Sequence, residues 1–286
     1  MSSRLYEIDG FTLANDNEAK TMILNSNKIE KSLLFMKAEK IVSLELNDLL
    51  GCKASDIAFL NDFDFVKRIN ILNDYIDDLS PIHHLKNLET LIIQSNCKTK
   101  IDFTAFPKLK DLRTGWRKNS PTLYEATQLE ALSLSSFSPK EKDLSLLKKL
   151  VNLRKLNISS SAIYSLAGIE NLQKLEKLEL YYLRNLENLE NIKLLPDLKE
   201  LCIESCKKAD LKPIADLQQI EKLKLVKTTD IESVSLFSKL KNLQTLILGE
   251  TKIIDGNLSP MFELPRLKTF KGRHYKHYSH VFSEFV

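Results

Sequence analysis

The chain has 286 residues and a mass of 32.8 kDa, with 51 leucines but only 7 glycines. Its mean hydropathy of -0.21 and the absence of any run of 18 apolar residues exclude a collagen-like or membrane-spanning chain. The 42 Lys and Arg residues alternate with 38 Asp and Glu, so the charge pattern does not indicate a nucleic-acid partner. A chain of this length predicts either two domains or one elongated array of repeats.

Residues 1–40 are predicted to form an N-terminal cap. Apolar and charged residues alternate between 22 and 41, as a segment covering the first exposed layer of a repeat array requires. Acidic residues such as Glu7 and Asp9 interrupt the start of the chain, where a secretory signal needs a basic start and an unbroken apolar stretch. We therefore expect a cytoplasmic protein.

The pattern LxxLxL recurs eleven times between residues 41 and 275. The copies begin at Ile41, Val66, Leu88, Leu109, Leu129, Leu153, Leu175, Leu198, Ile220, Leu243 and Leu267. Successive copies begin 20 to 25 residues apart, and the fourth is defective because Thr114 replaces its last leucine. The pattern predicts short strands whose first, fourth and sixth residues face a shared core, stacked as a parallel sheet. Apolar residues at every third position of the return segments, such as Ile163, Leu166 and Ile169, predict short helical or 3-10 turns.

The segment from Leu150 to Leu166 closely follows the unit LxxLxxLxLxxNxIxxIxx. On this motif the chain resembles the leucine-rich repeat family, in particular the short 22-residue subclass of phosphatase-regulator and internalin proteins. The resemblance implies an α/β solenoid. The implied fold is a leucine-rich repeat horseshoe with a parallel concave sheet of about eleven strands and short helical or 3-10 convex segments. It implies little about function, because one fold hosts many functions.

In that family the ninth position of each unit holds a small polar residue that satisfies backbone groups at the bend after the strand. The corresponding residues are Asp74, Asn96, Ser161, Cys206, Thr228 and Thr251. Arg117 and Phe137 depart from this ladder in consecutive copies, which predicts a different turn geometry there. We expect Cys206 to be a buried member of the ladder. All four cysteines are expected to be reduced, because they form no CxxC pair or zinc-type spacing.

Residues 276–286 are predicted to form a C-terminal cap in which Val281, Phe282 and Phe285 cover the last layer. A basic cluster near this end contains Arg266, Lys268, Lys271, Arg273, His274 and Lys276. A solvated face is the favoured interpretation, and contact with nucleic acid the lower alternative, because acidic residues on the sheet face repel a polyanion. Histidines 274, 277 and 280 have a spacing compatible with a metal, but no Asp or Cys completes a ligand set.

No phosphate-binding loop, nucleophile elbow or zinc-peptidase motif is present, so we predict neither an enzyme nor a cofactor. The large sheet face favours a protein-binding scaffold without a membrane partner, with nucleic-acid contact at the basic cluster as the lower alternative. Two classes remain open: an intracellular inhibitor or immunity protein that sequesters a toxin or enzyme, and an adaptor or regulatory subunit of an enzyme such as a phosphatase. The chain also resembles bacterial cytosolic leucine-rich repeat proteins, some of which are immunity partners of toxins, and this resemblance favours the inhibitor.

Small residues in the middle of the predicted concave face indicate a depression flanked by large side chains. Strand spacing places the two flanks about 14 Å apart. The predicted partner-binding residues are Arg113, Trp116, Arg117, Ser133, Ser135, Phe137, Glu179, Tyr181 and Tyr182. Trp, Tyr and Arg are the residue types most enriched at binding hot spots. Trp116 has a second interpretation, in which it fills the gap left by Thr114.

Overall fold

A computed structural model describes residues 4–16 and 19–285 of the chain. The chain divides into two compact units, unit 1 (residues 1–129) and unit 2 (residues 130–286). In the described residues both units consist mainly of short strands joined by loops and 3-10 turns, and unit 1 also contains one α-helix. No helix within these residues has the length and apolar character needed to cross a bilayer.

Unit 1 contains seven strands and one α-helix in its described residues. Their bounds are β1 Arg4–Ile8, β2 Phe11–Asp16, β3 Ala19–Ile23, α1 Ile29–Ala38, β4 Ser43–Asn47, β5 Arg68–Leu72, β6 Thr90–Gln94 and β7 Asp111–Gly115. The first three strands pair in antiparallel order, and β3 to β7 pair in parallel, each with the next along the chain. The predicted cap region therefore holds three strands and a helix, and its antiparallel strands were not predicted from the sequence.

Unit 2 contains seven strands, which pair in parallel and in chain order. Their bounds are β8 Ala131–Ser135, β9 Lys155–Ser159, β10 Lys177–Tyr181, β11 Glu200–Glu204, β12 Lys222–Val226, β13 Thr245–Gly249 and β14 Thr269–Gly272. Strands β4 to β14 correspond one to one with the eleven copies of the sequence motif. The predicted number of repeat strands is confirmed.

The core of each unit lies between the strands and short 3-10 turns. In β10, Leu178 and Leu180 are fully buried and alternate with partly exposed residues, as a half-buried strand requires. The 3-10 turns of unit 1 span Ser26–Lys28, Asp48–Leu50, Ala58–Asp62, Ser80–His84, Phe103–Ala105 and Pro121–Glu125. Those of unit 2 span Ser145–Leu147, Ile169–Asn171, Glu190–Leu194, Lys212–Asp216, Val234–Phe237, Ser259–Glu263 and Phe282–Phe285. Buried residues such as Ile192 and Ile214 project from these turns, which confirms the predicted 3-10 segments.

Buried polar side chains form a ladder beside the strands, as the motif predicts. Ser161 Oγ donates a hydrogen bond to the Phe137 carbonyl, and the hydroxyls of Thr228 and Thr251 lie 3.0 Å apart. Cys206 is fully buried in the equivalent place, with its Sγ 3.5 Å from the Glu204 carbonyl.

Asp74 and Asn96 are exposed, so the buried ladder does not continue through them. Asp74 still satisfies a backbone group, as predicted, because its Oδ1 accepts a hydrogen bond from the Asn96 amide at 2.9 Å. In the first of these copies the neighbouring residue, Asn73, is buried instead, and its Nδ2 donates to the Cys52 carbonyl at 2.9 Å. A neutral amide can donate to a carbonyl inside the core, whereas a carboxylate has no proton to donate and is costly to bury.

Aromatic rings close the C-terminal end of unit 2. The rings of Phe282 and Phe285 lie 4.7 and 5.0 Å from that of Phe270, and the buried Tyr278 hydroxyl accepts a hydrogen bond from the Ile253 amide. Val281 is 45% exposed, so its predicted place in this plug is wrong. Its backbone amide instead donates to Glu284 Oε1, in the turn that directs the two phenylalanines inward.

Gly168 occupies a backbone position that only glycine fits. Its φ is +98°, and an added Cβ would lie 2.5 Å from the Ser145 backbone nitrogen. We expect Gly168→Ala to lower the free energy of unfolding by about 2 kcal/mol or more, measured by chemical denaturation. Gly249→Ala is the control, because φ there is not positive and the new methyl meets only the Val226 side chain. Equal losses in the two variants would contradict this argument.

Candidate partner-binding surface

The side chains that alternate with the buried leucines of β8 to β14 form one surface, the sheet face of unit 2. Parallel pairing places Ser133, Asn157, Glu179, Cys202 and Lys224 side by side at the centre of successive strands. The predicted partner-binding set contains Ser133 and Glu179 of this row but not Asn157, Cys202 or Lys224. The signal that identifies them is their shared fifth position in the repeat.

Glu179 is the most constrained acidic group on this face. Its Oε2 accepts from Asn157 Nδ2 at 3.2 Å, while Oε1 accepts from Lys177 Nζ at 2.9 Å and from the Tyr181 hydroxyl at 3.2 Å. Burial raises the pKa of Glu179, but hydrogen bonds from Lys177, Asn157 and Tyr181 and the Lys177 charge outweigh it, so the pKa is lowered. The carboxylate is therefore charged and held in one position at neutral pH.

Tyr181 and Cys202 extend this cluster to the neighbouring strand. Burial, with contacts to Cys202 and then Glu179, raises the pKa of the Tyr181 hydroxyl. Burial also raises the pKa of the Cys202 thiol, against the opposing effect of its hydrogen bond with Tyr181. Both groups stay protonated at neutral pH, so they supply polar contacts and no thiolate nucleophile.

Ion pairs link the remaining charged residues of the face from strand to strand. Glu200 lies 2.6 Å from Lys222 Nζ and 3.9 Å from Lys177 Nζ. Glu204 lies 3.4 Å from Lys224 Nζ. Such partly exposed pairs add little stability individually. They do, however, fix the positions of long side chains that would otherwise move freely.

Small residues lie next to this polar cluster. Ser135 and Ser159 precede Tyr181 in the same cross-strand row, and Ser133 precedes Glu179 two strands away in the central row. Ser135 is exposed, whereas Ser133 and Ser159 are partly exposed. The structure therefore brings four of the predicted site residues, Ser133, Ser135, Glu179 and Tyr181, onto one face of one unit.

Tyr182 follows β10 directly and presents its ring to solvent. Its φ is +58° and its side chain is 54% exposed. Its backbone amide donates to the Glu204 carbonyl at 2.9 Å, which fixes the bend in place. The same left-handed conformation recurs at the eighth position of the copies in Ser136, Ser160, Ser205, Lys227 and Glu250.

Phe137 does not lie on the sheet face. It is fully buried, and its carbonyl accepts the Ser161 hydroxyl. Its ring occupies the ladder position that small polar residues take in neighbouring copies. Its assignment to the partner-binding set is therefore wrong, because a large apolar side chain gains more from burial in the core than from exposure.

The other three predicted residues belong to unit 1. Arg113 is exposed and pairs with Asp111 at 2.9 Å, whereas Trp116 is half-buried and its Nε1 donates to the Tyr124 hydroxyl at 3.0 Å. Arg117 occupies the ladder position of its copy. Its guanidinium donates to backbone carbonyls of Ser95, Cys97 and Thr99 in the preceding loop. Arg117 therefore joins two loops, which is the altered turn geometry that the sequence predicts.

The C-terminal histidines make local contacts in unit 2. His277 Nε2 lies 2.9 Å from the Ile253 carbonyl oxygen, and His280 Nδ1 lies 2.7 Å from Ser279 Oγ. Across residues 4–16 and 19–285, no three His, Cys, Asp or Glu side chains are grouped closely enough to hold a metal ion.

Solved structures share the architecture of this chain. An internalin (inlF) of Listeria monocytogenes has a TM-score of 0.58 at 18% identity, covering 78% of this chain and 71% of that one. A leucine-rich repeat protein of Leptospira interrogans has a TM-score of 0.54 at 17% identity, covering 84% and 74%. The chain has the leucine-rich repeat fold. TLR13, in its complex with ssRNA13, shares this leucine-rich repeat architecture with a TM-score of 0.64 at 19% identity, covering 82% and 36%.

Sequence comparison adds one relative to these leucine-rich repeat structures. No family model matches the chain. A stretch of 103 residues is 24% identical to an uncharacterized protein of Caenorhabditis elegans. The match spans 35% of this chain and only 22% of the length of that relative.

The four cysteines are unpaired and differ in exposure. Cys97 is partly exposed, whereas Cys52, Cys202 and Cys206 are buried. Burial raises the pKa of each of these three thiols, and the pKa of Cys206 reaches about 11.

In the native protein we expect a thiol reagent to modify Cys97 about tenfold faster, or more, than the other three cysteines, because only an accessible thiolate reacts. Mass spectrometry of partially labelled protein measures the rates, and denatured protein serves as the control. Equally fast labelling of Cys206 would show that the ladder is not buried.

Proposed function

We propose that this chain is a non-enzymatic protein-binding scaffold and that the sheet face of unit 2 holds its partner. The observation that carries the proposal is the fixed cluster around Glu179, with the exposed Tyr182 ring and the serines of β8 and β9 beside it. Side chains already held in place lose little conformational entropy on binding. Tyrosine supplies a large apolar area with a polar tip, which suits a binding hot spot.

Among scaffolds, we propose a cytoplasmic, bacterial inhibitor or immunity protein that sequesters one toxin or enzyme. The strand-borne, hydrogen-bonded cluster favours this function, because rigid surfaces suit a single partner, whereas proteins with many clients use surfaces that repack. In unit 1, Arg113 and Trp116 are proposed as separate partner contacts. Arg117 is proposed to act there only by holding its loop.

Affinity purification of the tagged protein from its native host tests this proposal. One stoichiometric partner with a dissociation constant in the nanomolar range or below supports the inhibitor. Several weaker clients would point to an adaptor, such as a phosphatase-regulating subunit. Capture that nuclease treatment abolishes would favour the nucleic-acid alternative at the basic C-terminal cluster. Catalytic turnover by the protein freed of every co-purifying chain would contradict the scaffold itself.

A further inference from the structure

A cavity of about 390 Å³ lies in unit 1, between the loops that follow β6 and β7. Its lining includes Asn96, Lys98, Trp116, Arg117, Lys118 and Asn119. None of these residues belongs to the sheet face of unit 2, and Trp116 is the one lining residue proposed above as a partner contact. The cavity is large enough for a small organic ligand, since pockets that bind such ligands have volumes of about 300 Å³ or more.

The cavity lies where the polar ladder is interrupted. Asn96 is exposed instead of buried, and Arg117 takes the ladder position of the next copy. Three donations from the Arg117 guanidinium to carbonyls of the preceding loop hold the two loops together. Nε of Arg117 is buried without a hydrogen-bond acceptor. The hydrogen bonds of a charged group therefore hold the two walls together.

The cavity lining is strongly cationic. Lys98, Arg117 and Lys118 line it, and no Asp or Glu does. None of these three cations forms an ion pair within the part of the chain that the structure describes. Burial lowers the pKa of Arg117, opposed only by the nearby Cys97 thiol, which reflects a cation held without a carboxylate. On the sheet face of unit 2, by contrast, Lys177, Lys222 and Lys224 all have acidic partners.

We propose that this cavity binds a phosphate monoester. Three positive charges around one cavity exceed what a single carboxylate neutralises, whereas a phosphate monoester carries about −1.5 to −2 charges at neutral pH. Lysine ammonium groups bind phosphate as point charges, and the Asn96 side-chain amide adds a neutral donor to the lining. Asn119 Nδ2 donates to the Lys98 carbonyl at 3.0 Å and has a second proton to donate. The volume accommodates the phosphate together with the group that carries it, so the ligand is either a small phosphorylated metabolite or a phosphorylated side chain of a protein.

Trp116 is the only tryptophan of the chain and lines the cavity, so its fluorescence reports on this site. The probes are glucose 6-phosphate and a phosphoserine peptide, with glucose, the unphosphorylated peptide and acetate as controls, at a constant ionic strength of about 0.15 M. Isothermal titration calorimetry repeats each titration independently of the fluorophore. We expect saturable binding of a phosphorylated probe with a Kd below about 1 mM. Tighter binding of the peptide identifies a protein source, and tighter binding of the sugar phosphate identifies a metabolite.

The double variant Lys98→Gln/Lys118→Gln removes two exposed cations from the lining without touching the Arg117 hydrogen bonds. We expect its Kd to rise at least about tenfold. The matched control Lys20→Gln/Lys31→Gln removes the same charge from exposed positions on β3 and α1 and is expected to leave the Kd unchanged. Three results would each overturn the proposal: no saturable binding of either phosphorylated probe by either method, acetate binding as tightly as the phosphorylated probes, or equal losses in the two double variants.

Discussion

Replacement of Leu178 by aspartate is expected to lower the free energy of unfolding by about 4 kcal/mol or more. Leu178 is fully buried in the middle of β10 and pairs with Leu156 on one side and Leu201 on the other. The aspartate would place a charge, without any cation partner, between two apolar layers of the stack. Leu156→Asp, one strand earlier, is expected to have a similar effect because that leucine holds the same position in β9.

Chemical denaturation followed by circular dichroism measures this loss. Lys155→Asp is the control, since Lys155 is exposed on β9 and its replacement is expected to change stability by less than about 1 kcal/mol. The assignment of the leucines to one shared core would be wrong if Leu178→Asp remained as stable as the control variant.

Partner binding is expected to weaken by about 2 kcal/mol or more, roughly 30-fold in Kd, in both Tyr181→Ala and Tyr182→Ala. Tyr181 donates to the fixed Glu179 carboxylate, and Tyr182 offers an exposed ring on a backbone held by its hydrogen bond to Glu204. Little loss of stability is expected in Tyr182→Ala. The ring is solvent-exposed, and both tyrosine and alanine carry a Cβ, so the cost of the left-handed backbone conformation is similar for the two residues.

Tyr164→Ala provides the matched control for these two variants. Tyr164 lies in the same unit and is 49% exposed, but it lies in the return segment, five residues beyond the end of β9 at Ser159, whereas Tyr182 directly follows β10. Its replacement is expected to leave affinity unchanged. Calorimetric or surface-binding titration of the captured partner gives the three affinities. A loss at Tyr164 as large as that at Tyr182 would move the interface away from the sheet face.

The repeats were predictable from the sequence because each copy buries the same positions. A leucine at the fourth position of one copy, such as Leu156, has a leucine beside it in the next, Leu178, so the register follows from spacing alone. The antiparallel strands before residue 24 have no such periodic signal. Their pairing depends on contacts specific to that region, such as the stacking of Phe11 on Phe35 at 4.5 Å.

Less of the candidate site was predictable, because a position in the repeat gives the direction of a side chain only while the repeat is regular. Glu179 and Tyr181 lie on regular strands, and the structure places both on the sheet face. Phe137 and Arg117 occupy irregular bends. There, burial of the ring and donation of guanidinium protons to loop carbonyls decide the orientation. The one-residue shift from Asp74 to Asn73 depends likewise on which side chain can be buried, which spacing does not encode.

Hydroxyl-radical footprinting of the purified complex tests most directly whether the sheet face of unit 2 holds the partner. Tyr182 and Tyr164 have similar exposure, 54% and 49%, so they report on two places of one unit with similar sensitivity. If the sheet face holds the partner, we expect the bound partner to lower oxidation of Tyr182 several-fold and to leave oxidation of Tyr164 unchanged. Protection of Tyr164 with undiminished oxidation of Tyr182 would contradict it.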